Sequence, residues 1–227
     1  MIKYEDIKAV YVNHMGTDLD VVNAARVSFD KASSHLSKSD EWLIKYLSDH
    51  DHFSPFTHVM ITLRETVPIP IARQRFKHTI GFTYNEVSRR YVDSAPSYYK
   101  PDQWRGRADH VKQGSSETTV DINPPNYFGR RTMVDAYESS LQQANYAYEL
   151  LLKRGVCPEQ ARFVLPQAAM VEYIATGSLY AFARAYRLRS SPDAQKESRD
   201  LAKFWNDIIR ALYPVSWKQL VGGDDNE

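Results

Sequence analysis

Two hydrophobic periods divide this chain. Val59 to Ile69, VMITLRETVPI, alternates apolar with polar and is rich in β-branched residues, which predicts a strand. Residues 5–12 alternate enough for a shorter strand. Pro68 and Pro70 then stop the ladder, because proline has no N–H to donate. The helical period appears elsewhere. Asp18 to Val27 reads as a short helix, and Asp40 to Ser48 as a second one with Ser39 as its cap. Between these and the strand lies a polar loop, HDHFSPFTH from His50, punctuated by Pro55. Ala72 to Lys77 starts a further helix.

The second half is richer in the helical period. Ser94 to Pro125 is broken by Pro96, Pro101, Gly106, Gly114 and Pro124–Pro125, and reads as loop. Arg131 to Arg154 carries an apolar stripe at Met133, Tyr137, Leu141, Ala144, Tyr148 and Leu151, with Gly155 placed as a C-terminal cap. Pro158 suits a first helical turn, and Glu159 to Ala175 reads as a helix interrupted by Pro166. Ser178 to Leu188 is another helix, and Ser191–Pro192 opens a long amphipathic one to about Leu212. Strands at the front, helices at the end and no βαβ alternation predict an α+β fold. Its expected form is a central, mostly antiparallel sheet flanked by helices, with a helix-rich C-terminal half. No break in composition divides residues 1–227, so one domain is expected.

Composition narrows the function classes. No apolar run is long enough to span a bilayer, and the N-terminal stretch lacks signal-peptide regions, so no membrane role is expected. One cysteine, Cys157, excludes an intrachain disulfide framework and fits a reducing compartment such as the cytoplasm, or a host's cytoplasm for a viral protein. A net charge of +1 argues against a surface built to coat nucleic acid.

Against that near-neutral background, one stretch stands out. Between Ile71 and Tyr91 lie Arg73, Arg75, Lys77, Arg89 and Arg90, plus His78, with Glu86 as the one acid. Gln74, Asn85, Ser88, Tyr84 and Tyr91 are interleaved with them. Such a mixture suits a phosphorylated, planar, hydrogen-bonding ligand; an arbitrary basic run is more often a solvated face. A second basic set, Arg184, Arg187 and Arg189, lies in FARAYRLRSSPDAQ. Arg162 sits among Phe163, Val164 and Leu165, either paired with Glu159 three residues earlier or aimed into a pocket. His50, His52 and His58 cluster without a nearby Cys or a His-Glu-x-x-His helix, so loop histidines or a cofactor loop with Ser54 and Thr57 fit better than a metal site. No Walker A, G-x-G-x-x-G or G-x-S-x-G pattern is present.

Taken in order, these blocks resemble the flavin-dependent thymidylate synthases. The family's signature is Arg-His-Arg, seven or eight residues, then Ser; here it reads Lys77-His78-Thr79, eight residues, Ser88, continuing as NEVSRRY. AARVSFD from Ala24, HFSPFTH from His52, EQARFVLP from Glu159 and YRLRSSPDAQKE from Tyr186 match further blocks, from about residue 20 to 217. Both signature arginines are replaced: Lys77 keeps the charge without the planar fork, and Thr79 has none. Arg73 or Arg75 is placed to compensate. Asp193 stands where the family often has His.

The resemblance implies the following roles. Gln74, Arg75, Lys77, Glu86, Val87, Ser88, Arg89, Arg90 and Arg162 would hold deoxyuridine monophosphate (dUMP). Arg189 would sit at its pyrimidine and favour ionisation at N3. His52, Ser54, Lys77, His78, Thr79, Asn85, Glu86, Ser178 and Arg184 would meet FAD. NADPH would be the reductant and 5,10-methylenetetrahydrofolate the one-carbon donor. The family is a homotetramer with active sites at subunit interfaces. Chemistry agrees with that assignment: activating C5 of a uracil without a well-placed Cys requires cations at the base. Two other readings stand beside it, a flavin enzyme for a different nucleotide and a non-enzymatic nucleic-acid module using residues 73–91.

Overall fold

A computed structural model describes residues 2–107, 116, 118–120 and 133–222. The expected elements at Arg131–Thr132, Gly114 and Pro124–Pro125 lie outside the described residues. The chain resolves into two compact units. One comprises residues 1–7, 66–75 and 86–173, the other 8–65, 76–85 and 174–227.

A four-stranded antiparallel sheet is built from β2 (Lys8–Met15), β3 (Met60–Pro68), β4 (Phe82–Glu86) and β6 (Met170–Ser178), in the order β2-β3-β6-β4. The pairings show its direction. Thr62 bonds Thr176 through their hydroxyls, and Ile69 N–H donates to the Ala169 carbonyl, so numbers rise on one strand as they fall on the other. Ser178 N–H donates to Gly81 and Val87 N–H to Glu172 in the same sense on the far side of β6.

β6 corrects an expectation, since Glu159 to Ala175 reads as helix by period. The helix there stops almost at once: α5 (Pro158–Ala161) gives way to a 3₁₀ turn, Arg162–Val164. Pro166 bars continuation. Val171, Ile174 and Thr176 are β-branched, and with β3 and β4 to pair with on either side the segment becomes a central strand. Gly177 permits this packing, because a Cβ there would collide with the Phe82 ring.

In the first unit, β1 (Lys3–Tyr4) pairs in parallel with β5 (Ser97–Tyr98). Beside them run α3 (Ile69–Arg75) and α4 (Met133–Lys153). Tyr98, Leu141 and Ala169 form its core, with Ile2, Ile69, Tyr137 and Leu165 packed around them. Pro70 belongs to the first turn of α3, so it starts a helix as well as ending a ladder. Gly155, at φ +86°, closes the long helix in the left-handed region, as expected.

In the second unit, α1 (Asp18–Arg26), α2 (Lys38–Asp49), α6 (Leu179–Arg189), α7 (Lys196–Leu212) and α8 (Pro214–Val221) pack around Ile44, Phe182, Trp205 and Trp217. Ser37, not Ser39, caps α2: Asp40 reaches back to the Ser37 N–H in a reciprocal box, and also pairs with Arg26. Trp205 Nε1 donates to the fully buried Glu65 at 3.0 Å, which satisfies part of that carboxylate. Strand β4 and helix α8 carry no periodic signal strong enough to have been expected.

Candidate active site

The first unit gathers one group of candidate residues on the segment that leaves β4. Val87 is tied by its N–H to β6, and beyond it a tight turn closes through Tyr91 N–H on the Ser88 carbonyl, at 3.0 Å. The Ser88 hydroxyl accepts from Arg90 N–H at 3.3 Å, and Arg89 Nη1 donates to the Ser94 carbonyl at 2.8 Å. Arg90 reaches Glu159 with both Nε and Nη2, each 3.1 Å from Oε2. Arg162 donates Nε to the Glu159 backbone carbonyl at 3.3 Å. So the carboxylate that is one candidate partner for Arg162 goes to Arg90, and Arg162 is held by the Glu159 main chain. Glu86 is exposed at the end of β4, yet partial desolvation of its carboxyl pushes it above its ordinary range, and the positive charge of Arg162 only partly opposes that. Glu86, Ser88, Arg89, Arg90, Arg162 and Glu159 are thereby one cation-rich group with a single perturbed acid.

Gln74 and Arg75 sit on α3 of the same unit. Arg75 is only 2% exposed, an interior guanidinium, whereas Arg73 on the same helix is exposed. Of the two arginines weighed as compensation for Thr79, Arg73 is the one at the surface.

The second unit gathers the other group. His52 and Ser54 are exposed on the segment between α2 and β3, and Ser54 opens a 3₁₀ turn, Ser54–Thr57, closed by the Thr57 hydroxyl on the Ser54 carbonyl. That segment is anchored to α6 by Tyr180, whose hydroxyl donates to Asp51 at 2.8 Å; burial, then this bond, raises the phenol above its ordinary range. Sequence reasoning missed this anchor, because Asp51 and Tyr180 lie 129 residues apart. Lys77 and Thr79 are exposed, and His78 between them is half-buried. Arg189 Nε donates to His78 Nε2 at 2.9 Å. Asn85 is exposed on β4 and Arg184 on α6. Ser178 is different: it is 5% exposed and caps α6, accepting from Ala181 N–H at 3.2 Å.

Other candidates take ordinary structural places. Cys157 is the exposed N-cap of α5. His50 is bonded to the Tyr46 carbonyl at 2.9 Å. Asp193, in the place of the family's His, is bonded by the Ser191 hydroxyl. Among the described residues no three His, Cys, Asp or Glu side chains gather into a metal site, and no helix is long and apolar enough to cross a membrane.

The exposed donors of the second unit suit an anionic, planar cofactor. Lys77 and Arg184 are exposed cations, and His52, Ser54, Thr79 and Asn85 are exposed polar groups that could hold such a ligand.

Comparison with known proteins gives the class. Over 98% of both chains the fold matches a UMP/dUMP methylase, PolB from Streptomyces cacaoi, solved with 5-Br dUMP, at a TM-score of 0.82 and 27% identity. The same methylase solved with 5-Br UMP matches at 0.78. Flavin-dependent thymidylate synthase from Thermus thermophilus is 33% identical over 206 residues, 91% of this chain and 72% of that one. The enzyme of the same description from Thermosipho africanus is 35% identical over 207 residues, 91% of this chain and 87% of its own. Fold and relatives thus define an α+β methyltransferase. The family model for thymidylate synthase complementing protein matches residues 11–215, and the chain belongs to that family.

Proposed function

We propose that this protein methylates dUMP to dTMP in a flavin-dependent reaction, with 5,10-methylenetetrahydrofolate giving the carbon and NADPH the reducing equivalents. The observation that carries the reading is the cation-rich group of Glu86, Ser88, Arg89, Arg90 and Arg162, standing on a fold shared with a methylase of UMP and dUMP.

In this reading, Arg89, Arg90 and Arg162 bind the nucleotide phosphate, aided by Lys77 and the exposed Arg73, while Arg75 supports that surface from the interior. Gln74, Glu86, Val87 and Ser88 orient the sugar and base. Arg189 acts at the pyrimidine. Its charge favours the base ionised at N3, which raises electron density at C5 for attack on the methylene carbon; no thiol at C6 is required. Cys157, capping a helix at the surface, has no part in it. His52, Ser54, Lys77, His78, Thr79, Asn85, Glu86 and Arg184 would hold FAD, with Ser178 fixing the start of α6. When bound, the flavin supplies the hydride that completes the methyl group. Residues 1–227 act as one catalytic domain in a cytoplasmic homotetramer, with active sites assembled from more than one subunit.

The test is direct. Purified protein should show flavin absorbance, a mass near four times 26.2 kDa by light scattering, and dTMP formation from dUMP and labelled methylenetetrahydrofolate. Flavin-loaded protein that makes no dTMP would overturn the reading. UMP belongs in the same assay as a second substrate, because the methylase that shares the fold was also solved with 5-Br UMP.

A further inference from the structure

A guanidinium only donates hydrogen bonds, so every nitrogen it touches must carry a lone pair. Arg189 is the last residue of α6, and its Nε donates to Nε2 of His78 at 2.9 Å, across 111 residues of chain. Nε2 of His78 is therefore the unprotonated nitrogen, and the ring proton resides on Nδ1. Contact through Nε fixes the direction of one edge of the guanidinium.

The main chain at His78 is itself held. Tyr84 of β4 donates its hydroxyl to the His78 carbonyl at 2.7 Å. The Tyr84 ring stands 5.0 Å from Phe76 and 5.7 Å from Phe82, and Phe82 meets Phe182 of α6 edge-on at 4.8 Å. Phe182 is fully buried. The backbone that carries the imidazole is thus fastened to the same packed aromatic group that carries the helix ending in Arg189. This is how a rigid scaffold orients a charged group in advance of its ligand.

We infer that His78 is a positioning residue for Arg189: its Nε2 lone pair orients the guanidinium toward the pyrimidine of dUMP. The inference rests on the proposed reading of Arg189. It gives His78 a task that acts through another side chain, separate from the flavin contact that the family resemblance implies.

A double-mutant cycle tests it, read as dUMP affinity by calorimetry on the purified, flavin-loaded protein, with melting temperature and flavin absorbance checked for each variant. Arg189→Ala should weaken dUMP binding about tenfold or more, the loss of charged hydrogen bonds. His78→Phe, which has no acceptor, should weaken it by about the same factor. The double variant should be no weaker than Arg189→Ala alone. Multiplying losses would show that His78 acts independently of Arg189 and would overturn the inference. Unchanged dUMP affinity in Arg189→Ala would overturn the underlying reading, and the inference with it. Where His78→Phe does not fold, two other variants make the same comparison. His78→Gln offers an acceptor oxygen and should bind dUMP within about threefold of the unaltered protein, while His78→Lys offers only donors and should resemble Arg189→Ala. Equal losses in the Gln and Lys variants would overturn the inference.

Discussion

Glu159 meets two nitrogens of Arg90 with one carboxylate oxygen, at 3.1 Å each. The two side chains belong to different blocks of the sequence, 69 residues apart, and both are about half exposed, at 48% and 53%. In the proposed reading Arg90 is a phosphate ligand, so the carboxylate stands where a substrate anion would compete with it.

The first prediction follows from that competition. An exposed pair of this kind contributes about 0–1 kcal/mol. Glu159→Gln should therefore tighten dUMP binding by at most about fivefold. The gain should shrink as salt is raised, because screening already weakens the pair in the unaltered protein. Calorimetric titration at two ionic strengths reads it. Weaker binding in Glu159→Gln would show instead that the carboxylate supports the site.

Two arginines of α3 should respond in opposite ways. Arg75 is interior, so Arg75→Ala removes a buried guanidinium and leaves buried groups unsatisfied, which should cost about 1–3 kcal/mol of stability. Arg73 is exposed. Arg73→Ala should leave the melting temperature nearly unchanged and weaken nucleotide or flavin retention by about tenfold, one charge-assisted hydrogen bond. Thermal melts beside ligand titrations separate them. A stable Arg75→Ala with lost ligand binding would place Arg75, not Arg73, at the phosphate.

Much of this arrangement is legible in the sequence, and the rest has physical reasons for being hidden. Strand β3, helices α1, α2 and α4, and the Gly155 cap follow local period and local backbone chemistry, so the sequence reveals them. β6 does not, because its residues satisfy either period until β3 and β4 pair with it. The cationic segments are visible as composition. Their pairings are not: Glu159 with Arg90, Asp51 with Tyr180 and His78 with Arg189 join residues 69, 129 and 111 positions apart. No pattern of spacing encodes such contacts; the sheet and helix packing bring them about. Arg75 shows the same limit from the other side, since a basic run does not reveal which of its cations turns inward.

Glu86 gives a prediction with a pH sign. Partial desolvation raises its folded pKa above the ordinary value of 4.5. A raised carboxyl favours the protonated native state, so its contribution is present below the unfolded pKa and is lost as pH rises through the folded one. At pH 7 the ionised Glu86 is then a destabilising element. Glu86→Gln should raise the melting temperature slightly at pH 7, with the difference vanishing near pH 4. It should also weaken dUMP binding if Glu86 orients the nucleotide. Melting curves across that pH range decide it; a variant less stable at pH 7 than at pH 4, relative to the unaltered protein, would reverse the sign.

The last prediction concerns which side chain activates the base. Arg189 ends α6 and is fixed by His78, whereas Cys157 is an exposed helix cap with no base bonded to it in the described geometry. Thiol attack at C6 needs a thiolate delivered to the base. Cation-assisted activation needs only an oriented positive charge beside it. Arg189→Lys keeps the charge but gives up the planar group and the Nε donor to His78. It should fold normally, since Lys and Arg differ little in helix propensity. Turnover to dTMP should nevertheless fall by about ten- to a thousandfold, the loss of one oriented charge-stabilising donor. Cys157→Ala should retain turnover within severalfold. Steady-state dTMP formation for both variants, after flavin content has been matched, makes the comparison. A dead Cys157→Ala beside an active Arg189→Lys would move the activation of the pyrimidine from the arginine to the thiol.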